Sequence, residues 1–194
     1  MSYRIKCVIL IMFLALLPLT CASTYIIGSH QVSFNVSEPY NSSAKFDTPS
    51  YNLSASNDWT YTLNLTADSQ HVIKIMVNEL TVPDFGRTWP SSFAATRPDW
   101  IKANGIGGYK SSTMDFKGYP AYQESFPAQK NYQALGNNFL VYLQHNSLNY
   151  EIDEKTVVHV LAFGDNVPYQ EVLDTIEVTE APTKPTKYAP YISQ

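Results

Sequence analysis

Apolar and polar residues alternate most regularly over residues 59–65, where Trp59, Tyr61, Leu63 and Leu65 interleave with Thr60, Thr62 and Asn64. A two-residue period predicts a strand with one buried face. Residues 71–78 follow a short turn at Ala67-Asp68-Ser69, and the two segments should form an antiparallel hairpin. Upstream, Val32, Phe34 and Val36 mark a first strand over 31–36. The polar stretch 37–57, with Pro39 and Pro49, reads as a long loop. Downstream, 112–126 reads as two strands around Lys117-Gly118, followed by strands at 139–144, 149–152 and 156–163. Asp153-Glu154-Lys155 is the last turn between them. Residues 157–163 are apolar on both faces, which predicts a central strand covered on each side.

Helical spacing appears twice. Thr96 can cap a short helix with Pro98 in its first turn and Gly105 past its end. Tyr169, Val172, Leu173 and Ile176 fall at i, i+3, i+4 and i+7, one apolar stripe for docking on a sheet. Asn166 and Pro168 are its expected cap and first turn. The elements set the domain limits: 1–22 a leader, 23–30 a flexible lead, 31–178 one domain, and 179–194 a Pro/Thr-rich disordered tail.

The leader has the order of an export signal. Arg4 and Lys6 precede an apolar run from Cys7 to Leu17, and small residues lead to a cut after Ala22. The run is shorter than the roughly 20 residues a membrane span needs. An uncut leader would act as an anchor, the only route to membrane attachment that the sequence offers, save lipidation at Cys21. Both cysteines, Cys7 and Cys21, lie inside the leader. The cut chain therefore works outside the membrane with neither disulfide nor thiol chemistry, in the medium or the cell envelope.

Charge narrows the partners. Losing Arg4 and Lys6 takes the formal net charge from −4 to −6, and no basic stripe remains to displace phosphate counterions, so nucleic acid is not an expected partner. The order of elements adds a resemblance. The stretch Thr156-Val-Val-His-Val-Leu-Ala-Phe-Gly-Asp165, then Tyr169-Gln-Glu-Val-Leu-Asp-Thr-Ile-Glu-Val178, resembles the end of PsbP/Mog1-like domains, and small exported proteins of methanogenic archaea look similar. The resemblance implies an α+β fold, an antiparallel β-sheet with helices packed on both faces, in a protein that binds or scaffolds. No family site residue carries over.

Few residues suggest chemistry. The four histidines His30, His71, His145 and His159 show no zinc spacing, and His159 reads as a hydrogen-bonded core residue. No Gly-x-Ser-x-Gly elbow is present, and Gly105-Ile106-Gly107-Gly108 lacks the spacing of a phosphate cradle. No catalytic residue, metal or cofactor is expected. Asp84, Asp99, Asp115 and Glu124 could pair only as a glycosidase would need, and solvated loop carboxylates are the plainer reading. The aromatic middle segment is the best site candidate, with Trp89, Trp100 and Tyr109 as binding residues if exposed and as core if not. Asn35, Asn41, Asn52 and Asn64 head Asn-x-Ser/Thr triplets and are glycosylation candidates. Together these features predict an exported, non-enzymatic domain that binds an envelope protein or surface polysaccharide. A secreted hydrolase of cell-wall carbohydrate is the alternative.

Overall fold

Two antiparallel sheets share a core. A computed structural model describes residues 22–52, 58–81, 89–129 and 143–182. Chain order runs β1 (Ser23–Ile27), β2 (His30–Phe34), a 3-10 turn (Asn41–Ser43), β3 (Lys45–Phe46), β4 (Ser50–Asn52), β5 (Asp58–Thr66) and β6 (Val72–Leu80). Helix α1 (Trp89–Ala103) follows, then β7 (Lys110–Phe116), β8 (Tyr119–Phe126), β9 (His145–Asp153), β10 (Thr156–Phe163), α2 (Tyr169–Thr175) and β11 (Glu177–Glu180). The small sheet has the order β1-β2-β11, and the large one β3-β5-β6-β10-β9-β8-β7 with β4 also on β5.

Alternation decides which face goes inward. Leu63 and Leu65 of β5, Ile73, Ile75 and Val77 of β6, and Val158, Val160 and Ala162 of β10 point into the main core. Val32 and Phe34 of the small sheet close over them, and α2 adds Tyr169, Val172 and Leu173. Helix α1 covers the opposite face of the large sheet at β7, β8 and β9, where Ile101 and Ile106 meet Phe126. As expected, β5 and β6 form a hairpin, β10 is central, and the stripe of α2 is buried. Lys117 (φ 53°) and Gly118 (φ 89°) make the left-handed turn between β7 and β8.

The expected α+β sandwich, an antiparallel sheet between helix layers, is not what the chain forms. The described residues hold eleven strands and two α-helices, and a second sheet with one seven-residue helix covers the main core face. Local readings change too. Residues 23–30 are not a flexible lead but β1 and the start of β2, joined by a two-residue Gly28-Ser29 turn with Ile27 opposite His30. That Gly-Ser pair behind the β-branched and aromatic run Thr24-Tyr25-Ile26-Ile27 is a readable hairpin signal. The loop at 37–57 holds the 3-10 turn, β3 and β4.

Helix α1 begins seven residues before Thr96, because Pro90, not Pro98, occupies its first turn. Pro98 sits in its interior, and Gly105 (φ 68°) follows its end as expected. The strand expected at 149–152 starts at His145 instead. Pro168, without a side-chain bond, caps α2 in place of Asn166, which is left-handed (φ 55°). The tail begins later than 179, since Thr179 and Glu180 belong to β11. Residues 1–21 of the expected leader 1–22, residues 139–142 of the strand expected at 139–144, and residues 183–194 of the tail lie outside the described residues, and Leu143 and Gln144 form no strand.

Candidate functional site

β8 presents Ala121 to the main core, so its pleat sends Tyr122, Glu124 and Phe126 to the α1 side. β9 sends His145, Ser147 and Asn149 to that same side, and cross-strand register sets Tyr122 beside Asn149 and Glu124 beside Ser147. The face under α1 is therefore polar where the main core is apolar. Such a face is stable only if its groups find partners.

Glu124 is the hub. Its side chain is 4% exposed, and Arg97 of α1 grips it with a two-pronged fork, Nε to Oε2 and Nη2 to Oε1, both 3.1 Å. The Tyr109 hydroxyl donates to Oε2 at 3.0 Å and shares a second hydrogen bond with the Tyr122 hydroxyl. His145 Nε2 lies 3.3 Å from Oε1, with its ring stacked on Phe126 at 4.5 Å. Burial pushes the Glu124 carboxyl up, but His145 and Arg97 outweigh it and hold the group down at about 2. The same burial, with the Tyr122 bond, pushes the Tyr109 hydroxyl well above its usual range.

Arg97 has a second contact. Its guanidinium carbon lies 4.6 Å over the Trp100 ring. Residues three apart on a helix are neighbours, and a flat cation over an indole is a stable stack. Trp100 is 37% exposed, one of the few large apolar side chains at the surface. Thus Tyr109, Glu124, Arg97 and Trp100 form one chain of contacts from the sheet to solvent.

The structure joins two of the three expected binding residues, Trp100 and Tyr109. Tyr109 is half-buried within the network rather than a free face. Trp89 is the first residue of α1, and its side chain lies outside the described residues. Arg97 and His145 are additions that the sequence reading missed. The alternation of Tyr122, Glu124 and Phe126 was the signal for the first, since it aims a carboxylate at whatever covers β8.

The other candidates separate. Asp99 and Asp115 are exposed, Asp115 capping the turn at Gly118 N–H (2.9 Å), and Asp84 lies outside the described residues. His159 is 7% exposed, and its Nδ1 pairs with Asn149 Oδ1. Among the described residues no group of three His, Cys, Asp or Glu could hold a metal ion. No described helix is long and apolar enough to cross a membrane. Of the triplet asparagines, Asn35 has a buried Oδ1, Asn41 bonds Ser23 Oγ, and Asn64 Nδ2 reaches Lys45 O at 3.5 Å. Asn52 ends β4. No family model, no curated protein and no solved structure matches the chain.

Proposed function

We propose that the chain is an exported, non-enzymatic binding domain whose contact point is the Trp100 platform. One observation carries this reading: an exposed indole is held in place by a guanidinium that is itself locked to a buried carboxylate. A ring fixed this way loses little freedom when a ligand stacks on it. Sugar faces and apolar protein side chains are suitable occupants, so a surface polysaccharide or an envelope protein is the partner class. Glu124 favours binding over hydrolysis, because a carboxyl held down at about 2 carries no proton to give a leaving group near neutral pH.

Export fits the start of the fold. β1 opens at Ser23, directly after the expected cut, and Ser23 Oγ is tied to Asn41. N-terminal sequencing of the secreted chain should begin at Ser23; a start at Met1 would argue for an anchor. The binding test is co-sedimentation with insoluble cell-wall polysaccharide and with envelope extract. Trp100→Ala should weaken retention about tenfold, the effect of losing about 1.4 kcal/mol of stacking. Equal retention of both proteins would remove the platform reading.

A further inference from the structure

Among the described residues the small sheet leaves one edge open beside an apolar groove, and β11 pairs with β2 alone. Ala181 N–H donates to Ser29 O at 2.9 Å, which continues this ladder, so residues 177, 179 and 181 turn their main-chain groups toward β2. Direction alternates along an antiparallel strand, so the N–H and C=O of Val178 and Glu180 point away. Among the described residues none bonds them there.

Beside this edge lies a groove of about 250 Å³, walled by Phe116, Tyr119, Tyr150 and Ile176. Lys117 stands at its rim, but its ammonium is already engaged by Asp174 O at 3.1 Å and Ile176 O at 2.8 Å. The exposed carboxylates Asp174, Glu177 and Glu180 follow the same edge. Free strand edges recruit further strands, and the two features together, unpaired amides and an adjoining apolar slot, match strand addition by a peptide.

We propose that the outer edge of β11 receives an extended segment of a partner protein in which apolar residues alternate with Lys or Arg. Its main chain bonds Val178 and Glu180, an apolar side chain enters the groove on the Val178 face, and its cations, on the other face, meet Glu177. Charge selects this occupant over a second copy, because the β11 segment Glu-Val-Thr-Glu carries no cation and would bring only further carboxylates to this edge. The site lies on the main-core side of the large sheet, opposite α1, and does not depend on Trp100.

Panning phage-displayed random 12-residue peptides against the purified full chain tests the proposal. Winners should alternate apolar and basic residues, and a synthesised winner should slow hydrogen exchange at the Val178 and Glu180 amides. Val178→Pro removes an outward N–H and blocks pairing, and Glu177→Lys/Glu180→Lys reverses the charge without touching the main chain. Each should cut affinity at least tenfold with the fold intact by circular dichroism. The proposal is overturned by no enrichment, by acidic winners, or by a winner that binds the charge-reversed chain equally. It is also overturned if the two amides are already protected in the free monomer, or in a dimer that Val178→Pro dissociates, since the chain itself then fills the edge.

Discussion

Glu124 shows how one residue ties stability to pH. Its folded value, about 2, lies below the ordinary 4.5, so its contribution is complete above 4.5 and disappears as pH falls through about 2. The difference corresponds to about 3 kcal/mol. His159 acts over a higher window. Burial holds its imidazole down at about 4 against 6.5, so protonation favours the unfolded chain, and stability falls as pH drops from 6.5 through 4. Urea unfolding between pH 7 and 3 should therefore show a continuous loss. His159→Gln should flatten the upper part of that curve. Glu124→Gln should flatten the lower part and cost about 3 kcal/mol at pH 7, because Arg97 is left without its carboxylate. Gly28 is a backbone requirement of another kind. At φ 63° an added Cβ would lie 2.4 Å from Glu79 Oε1 and 2.8 Å from the Tyr61 ring, so Gly28→Ala should lower stability by about 2 kcal/mol or more in the same assay.

Among elements, the β5–β6 turn is clamped to the end of β10. His71 Nδ1 meets Asp68 at 2.9 Å, and Nε2 reaches Asp165 at 3.2 Å. The Asp68 bond, then the Asp165 bond, raise the imidazole above its usual value. The clamp is complete below 6.5 and is released as pH rises through the raised value. An NMR titration should place the His71 midpoint above 6.5, and Asp165→Asn should bring it down. Elements with a local period were readable from the chain: the hairpin pairs as its alternation predicts and buries Leu63 and Leu65, though Trp59 and Tyr61 stay half-buried, and β10 and α2 bury nearly all the residues their spacing selects. Helix α1 was readable only in part, because both Pro90 and Pro98 are suited to a first turn and the chain places Pro90 there. Pairings that join distant segments left no local mark. Nothing in the run Glu177–Glu180 names β2 as its partner, and Arg97 finds Glu124 only because α1 lies across β8.

The whole molecule should unfold as one unit. Leu63 of the large sheet and Val32 of the small sheet, both fully buried, belong to one core with Val172 of α2. Leu63→Ala should cost about 3 kcal/mol, and far-ultraviolet circular dichroism and tryptophan fluorescence should shift together. Separate midpoints would show that the two sheets melt independently. The candidate site was legible at this scale only as a region rich in aromatic rings. Which ring reaches solvent depends on burial that no sequence window records, and Trp100 does so while Tyr109 turns inward.

The pairing of β2 with β11 brings residues 30–33 against 177–180, nearly the full span of the described fold. A chain delivered from its N-terminus cannot finish that sheet until its last strand arrives. The second and last of the described strands thus act as a latch whose halves are made early and late. The small sheet is therefore closed only once residues 177–180 have been made.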